Sequence, residues 1–235
     1  MADLLKDIKY NKNGSPILSA EQIEDIVEKI IYKFNPILLK DLRPVPIPDL
    51  MKSLKGIKFN ISPLEREYLG RINLKESLIE LNAYHFSMNK EDFRWRFTLA
   101  HEIGHFFLHS MPGRIMLEDT EQMFRIFDKP HKGSIRDWEE WHANTFASAL
   151  LIPRRPFQMF VERELRKHDF VRNKTVFFLD DQPESRKVFN TIIDIIHMKS
   201  NVSKAVARIR LEKFGYVKYP DDSKKTSARH ISEIF

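Results

Sequence analysis

The pentapeptide at 101–105, His-Glu-Ile-Gly-His, constrains this chain more than any other feature, because it sets three polar side chains inside an apolar, helix-forming stretch. Two histidines four residues apart lie on one face of a helix, about 6 Å apart along its axis, so their imidazoles can meet at a single ion. Glu102 is rotated by about 100° from His101 and can reach a water molecule beside that ion. Burying these groups is costly unless something satisfies them. The pattern predicts a metal centre, and ordinary hydrogen-bonded core histidines are the alternative.

A zinc site needs at least a third protein ligand. The chain contains no cysteine, so that ligand must be a histidine or a carboxylate. His109 continues the same helical face, but it lies about 12 Å along the axis from the first histidine, and we interpret it as a residue that supports the site or ends the helix. A second apolar helix, predicted over 137–151, offers two glutamates. Helical geometry favours Glu140, which shares a face with Asn144, and leaves Glu139 open.

The rest of the sequence predicts an α+β fold. Ser19 and Gln22 form a capping box ahead of apolar residues at helical spacing, and alternating apolar and polar residues predict a small, mostly antiparallel sheet. The predicted helices cover 20–34, 49–55, 91–110, 137–151, 156–167, 185–199 and 203–214, and the predicted strands cover 57–61, 68–74 and 77–82. The sheet and the ligand-bearing helices form an expected domain at 1–153. A basic, mostly helical C-terminal region at 154–235 follows it.

The positive charge of the chain is concentrated in its C-terminal third. Residues 1–153 carry 21 Lys and Arg against 22 Asp and Glu, whereas residues 154–235 carry 18 against 11, which accounts for the net charge of +6. Two helical patterns, at 186–198 and 203–214, are separated by a short polar turn and can resemble a helix-turn-helix. One interpretation is contact with nucleic acid or another partner, and a solvated face of a helical pair is the other. The candidate contact residues are Lys204, Arg208, Arg210 and Lys213.

Features that direct a chain to a membrane or out of the cell are not evident. The first residues, MADLLKDIKY, lack the basic segment and apolar stretch of a signal peptide. The longest apolar runs are too short to span a bilayer. The absence of cysteine fits a reducing compartment. We therefore expect a cytoplasmic protein without a membrane partner.

Two separate blocks of the sequence resemble the ImmA/IrrE family of zinc metallopeptidases. The first is FTLAHEIGHFFLH at 97–109, and the second is E-x-x-A-N-x-F-A-x-x-L-L-x-P at 140–153. The blocks agree with the family in order and in spacing, and the resemblance extends over about 20–153. In the tail it depends on 201–211, which resembles the closing helix of the family.

The resemblance implies a zincin-like metallopeptidase domain with a gluzincin-like site. Its residues would be Zn²⁺ ligands at His101, His105 and Glu140 and a catalytic base at Glu102. The oxyanion of the reaction would be stabilised by one of Tyr84, His131, His142 and Arg114.

The resemblance also implies a substrate. Family members typically cleave a specific helix-turn-helix transcriptional repressor, often encoded nearby on a phage or mobile element, or act in stress-responsive derepression. No N-terminal helix-turn-helix is evident here, so we expect the repressor to be a separate protein. Three other functions stay open: a DNA-binding regulatory protein with a structural or vestigial zinc site, a protease activated by nucleic acid, and a general peptidase acting on short peptides.

Overall fold

The computed structural model describes residues 8–12, 15–85, 93–110, 116–120, 134–167, 176–179 and 183–219. Helices and strands alternate irregularly along these residues. The helices are α1 (Ala20–Phe34), a 3-10 helix (Pro36–Leu39), α2 (Ile47–Ser53), α3 (Phe93–His109), α4 (Ile135–Leu151), α5 (Arg154–Leu165), α6 (Pro183–Ser200) and α7 (Lys204–Lys213). The strands are β1 (Lys9–Tyr10), β2 (Pro16–Ile17), β3 (Lys58–Ser62), β4 (Tyr68–Asn73), β5 (Leu78–Asn82), β6 (Met116–Thr120), β7 (Phe177–Phe178) and β8 (Val217–Lys218).

The main sheet has four strands in the order β3-β5-β4-β6. β4 pairs antiparallel with both β5 and β6, as predicted for a mostly antiparallel sheet. β3 pairs parallel with β5. β4, which lies between them in the sequence, runs in the opposite direction. The α+β fold predicted from the sequence is confirmed. β6 falls in a stretch for which the sequence had predicted no regular element.

The helices and the sheet form layers around α3. One side of α3 faces β4 and β5, and the other side packs against α4, which in turn packs against α1. α1 begins with the predicted capping box, in which Ser19 Oγ accepts from the Gln22 backbone and Gln22 Oε1 accepts from the Ser19 backbone. Its apolar face is buried. Because it lies between the sheet and α4, α3 is buried over almost its entire length, from Trp95 to its last residue.

The C-terminal helices share a core with the preceding part of the chain. Buried apolar residues on both sides of position 153 belong to one cluster. The guanidinium of Arg210, on α7, donates to both carboxylate oxygens of Glu24, on α1, and to the carbonyl of Ile152. The division into domains at 1–153 and 154–235 stays a prediction, and this ion pair connects the two parts.

Arg210, one of the four candidate contacts to nucleic acid or a partner, is buried in the structure. Its side chain is 1% exposed, and its guanidinium packs against the rings of Phe157 and Phe214. A guanidinium that is already paired and covered by aromatic rings cannot reach a phosphate without unfolding this contact.

Within the residues that the structure describes, no helix combines the length and the apolar content that crossing a bilayer requires.

The buried ion pair yields a test of stability. We expect Glu24→Gln to lower the free energy of unfolding by about 3–5 kcal/mol, because Arg210 then keeps a buried charge without a counter-ion. The matched control is Asp25→Asn, which breaks the partly exposed contact with Arg154 and is expected to cost at most about 1 kcal/mol. Urea denaturation of both variants measures the difference, and equal losses would contradict the importance of the buried pair.

Candidate metal centre

The site forms where α3 and α4 come unusually close to each other. A Cβ atom added to Gly104 would lie 3.1 Å from Cδ1 of Phe146 and 3.2 Å from Cα of Ala143. Few real Cβ atoms have such short contacts, so the two backbones can pack at this distance because residue 104 has no side chain. Glycine at this position of α3 is the residue that permits the close approach of α4.

Three buried side chains meet at this contact. His101 Nε2 lies 3.0 Å from His105 Nε2 and 3.2 Å from Glu140 Oε2. His105 Nε2 lies 3.4 Å from Glu140 Oε1. All three side chains are fully buried. The structure therefore brings together the three residues that the resemblance implied as ligands.

The separations between these atoms fit a metal ion. Ligand atoms at about 2.0–2.1 Å from a tetrahedral zinc ion lie about 3.3 Å from one another, and the three measured separations are 3.0, 3.2 and 3.4 Å. Two imidazoles and a carboxylate are also a donor set that zinc accepts. The group formed by His101, His105 and Glu140 could hold a metal ion.

The carboxylate at this site is held in its charged form. Burial alone would raise the pKa of Glu140, but the charge and hydrogen bond of His105, together with those of His101, outweigh burial and hold the pKa well below its usual value. Arg136, one helical turn earlier, places Nε 2.8 Å from Glu140 Oε1. A charged carboxylate is the form that binds a cation.

Each histidine of the pair also has a partner on its other ring nitrogen. His101 Nδ1 lies 2.9 Å from Asn144 Oδ1, and His105 Nδ1 lies 2.8 Å from His109 Nδ1. These contacts leave the Nε2 atoms of both rings facing Glu140. The sequence placed Asn144 on the same face as Glu140 but assigned it no role, although an amide beside a histidine ligand is a common supporting contact.

Glu139, which helical geometry alone had left open as a ligand, points elsewhere. Its Oε1 accepts a hydrogen bond from Ser15 Oγ at 2.6 Å, and both residues are buried. Ser15 directly precedes β2, so this contact connects the N-terminal strands to α4. A rotation of about 100° between successive helical residues separates Glu139 from the histidine pair.

Glu102 lies on the side of α3 that faces the sheet. The carboxylate is fully buried beside β4, where a Cβ atom added to Gly70 would lie 2.8 Å from Glu102 Oε1 and 2.9 Å from Thr98 Cγ2. Thr98 and Glu102 are one turn apart on the same face of α3, so both need the space that Gly70 leaves. The sequence contained no signal that a glycine on a distant strand would accommodate this carboxylate.

The other candidates are dispersed. Tyr84 is 64% exposed, and Nδ1 of His142 faces Nε2 of His109 at 3.4 Å. His131 and Arg114, the remaining candidates for stabilising the oxyanion, lie outside the described residues. Of the basic residues on α7, Lys204 contacts Asp194, Arg208 contacts Glu212 and Tyr219, and Lys213 is exposed. Contact of these three with nucleic acid stays a prediction.

Comparison with protein families identifies the segment that contains this site. The family model described as the IrrE N-terminal-like domain of M78 peptidases matches residues 85–212. The match includes α3, α4 and all of α7 except its final residue, so it crosses the predicted boundary at 153. A search of the curated proteins finds no match.

The two neighbouring glutamates make a direct test of the metal centre. We expect Glu140→Gln to lower zinc affinity by at least about 10-fold, because the site loses its only carboxylate among the three ligand side chains. Glu139→Gln should leave the affinity unchanged, since that side chain bonds to Ser15. Competition with a chromophoric chelator measures both affinities. Weaker binding in Glu139→Gln alone would reverse the assignment.

Proposed function

The chain belongs to the M78 peptidase family of IrrE N-terminal-like domains, and from this premise we propose that it is a zinc-dependent endopeptidase that cleaves a specific helix-turn-helix transcriptional repressor. A metallopeptidase of the ImmA/IrrE type follows from the family itself. The metal, the assignment of roles and the substrate are the content of the proposal. We place protease and repressor together in the cytoplasm.

The observation that carries the proposal is the buried group of His101, His105 and Glu140 with Glu102 on the adjacent face of α3. A peptidase site of this kind needs three protein ligands, a position open to water or substrate, and a base close to that position. α3 supplies two of the ligands and the base from neighbouring residues, and α4 supplies the third ligand. The base cannot be a further ligand of the same tight cluster, because it is turned away from the histidine face.

Zinc is the metal that suits these ligands best. The site combines two imidazoles with one carboxylate, and manganese is the alternative that such a set also accepts. When bound, zinc supplies Lewis-acid chemistry that makes water a nucleophile near neutral pH and polarises the peptide carbonyl.

Glu102 carries out the proton transfers of the proposed reaction. Its carboxylate accepts a proton from the attacking water and returns it to the amine that leaves after cleavage. The side chain is enclosed between α3 and β4, beside Thr98 and Gly70. This enclosure limits the directions in which the carboxylate can move.

The repressor substrate is proposed from the family resemblance and is a separate protein. Restricted proteolysis of one repressor predicts almost no cleavage of unrelated peptides, whereas a general peptidase would cleave them readily. The most informative substrate candidate is the helix-turn-helix regulator encoded beside the gene for this chain.

The proposed base is tested by Glu102→Gln. We expect this variant to keep its zinc and to cleave the neighbouring repressor about 10²–10⁴-fold more slowly, because glutamine cannot accept the proton. Gel electrophoresis after co-incubation, with and without chelator, measures cleavage, and a chelator assay measures zinc. An unrelated helix-turn-helix protein is the control substrate.

Three outcomes would count against the proposal. Cleavage at the normal rate by Glu102→Gln would remove the assigned base. Cleavage that persists in chelator would remove the metal from the reaction. Equal cleavage of the control substrate would favour a general peptidase.

The enclosure of Glu102 is tested by Gly70→Ala. The added methyl group would collide with the Glu102 carboxylate and with Thr98, so we expect cleavage to slow by about 10²-fold, a loss known for a small displacement of a reacting group. Gly56→Ala is the matched control, since Gly56 has a φ of +87° and no atom within 4 Å of the added carbon. That variant should lose stability but keep its rate per folded molecule. Equal rates in the two variants would show that Gly70 does not position the base.

A further inference from the structure

A row of histidines leads away from the metal centre, and the proposed chemistry uses only part of it. His101, His105 and His109 are spaced by one turn along the same face of α3, and His142 on α4 extends the row. His105 contacts His109 through Nδ1 atoms 2.8 Å apart. His109 Nε2 then lies 3.4 Å from His142 Nδ1. Both of these outer histidines are 1% exposed.

We propose that His109, itself held by His142, is a positioning residue that orients the ring of His105 toward the metal. This inference depends on the proposed metal centre and extends it to two residues that do not touch the ion. A ligand imidazole needs a fixed ring orientation and a fixed tautomer, and the hydrogen bond on its second nitrogen sets both.

Metal binding at Nε2 of His105, taken together with these contacts, assigns a proton to one nitrogen of each ring. Nε2 of His105 faces His101 and Glu140 as a ligand atom, so its proton is on Nδ1 and is donated to His109 Nδ1. A neutral imidazole has one donor and one acceptor nitrogen. His109 therefore carries its own proton on Nε2, from which it donates toward Nδ1 of His142.

His142 is needed because His109 accepts a hydrogen bond at Nδ1 in only one of its tautomers. Asn144, the partner of His101, offers a carbonyl oxygen that always accepts a hydrogen bond. His109 accepts at Nδ1 only in one of its two neutral tautomers, and an acceptor at its other nitrogen selects that tautomer. His142 provides this acceptor.

Packing keeps His142 in place. Its ring stacks on that of His109, with centroids 5.6 Å apart and an angle of 25° between the planes. Trp141 and Trp138 lie against the same ring, at centroid distances of 5.3 and 6.4 Å. The aromatic side chains of α4 thus hold the outer end of the row, and the ligand end is held by Glu140.

The experiment compares two amides at position 109. Asparagine places a carbonyl oxygen close to where Nδ1 of histidine lies, whereas the longer glutamine places its amide near Nε2. We expect His109→Asn to keep zinc affinity within about 3-fold of the original protein, and His109→Gln and His109→Leu to lower it by about 10–100-fold. His142→Leu should produce a smaller loss in the same direction. Chelator competition with Zn²⁺ gives the affinities.

A second readout separates positioning from a loss of stability. In ¹⁵N-histidine spectra of the zinc-loaded protein, the Nδ1 proton of His105 should show the shift of a strong hydrogen bond, and His109→Leu should abolish that shift. Urea denaturation of the metal-free variants measures stability independently. A purely structural role would change the unfolding free energy and leave both the zinc affinity of the folded protein and this resonance unaltered.

The outcomes distinguish this inference from the proposed function. Equal zinc affinity in His109→Asn and His109→Gln, or an unchanged affinity in His109→Leu, would overturn the positioning role while the metal centre stands. Failure of the unsubstituted protein to bind zinc would overturn both. If the leucine variant does not fold, the pair of amide variants still decides the question.

Discussion

The close packing of α3 against α4 at Gly104 is the contact on which the site depends. Residues from α3 alone could place two imidazoles side by side, but no third ligand can come from the same turn of that helix. The carboxylate of Glu140 reaches the pair because Ala143 and Phe146 pack directly on the backbone of Gly104. The close packing of the two helices therefore sets the position of the carboxylate beside the two imidazoles.

Burying so many polar groups is costly, and the structure offsets this cost through a network in which each group restrains the next. The Nδ1 atoms of His101 and His105 contact Asn144 and His109, so neither ring can rotate freely. Burial of Glu140 opposes its charge, and its interactions with His105 and His101 restore it. Outside the site, Glu24 and Arg210 form a similar buried pair that connects α1 to α7.

Much of the fold was predictable because its local signals agree with its tertiary structure. The predicted helix at 20–34 coincides with α1, since a capping box and an apolar face both specify it. The strands β3, β4 and β5 fall within one or two residues of their predicted positions. The parallel pairing of β3 with β5 was not predicted, because hydrophobic alternation shows that a strand is half-buried and not which neighbour it has.

The basic residues of the C-terminal third show the same limit of prediction from sequence. The count of lysine and arginine left contact with nucleic acid open beside a solvated helical face, and Arg210, one of the candidate contacts, is buried against Glu24, a residue 186 positions away. Sequence spacing identifies the face of a helix on which a residue lies. It does not identify what covers that face.

The sequence by itself determined that two histidines and the Glu102 between them share one helix, because this depends on spacing within that helix. Only the tertiary structure decided that Glu140 faces the pair while Glu139 bonds to Ser15, that Gly70 accommodates Glu102, and that His109 contacts His105 as well as His142. The reason is physical. Helical geometry sets the angle between neighbouring side chains, whereas the partner of each side chain depends on how separate segments pack.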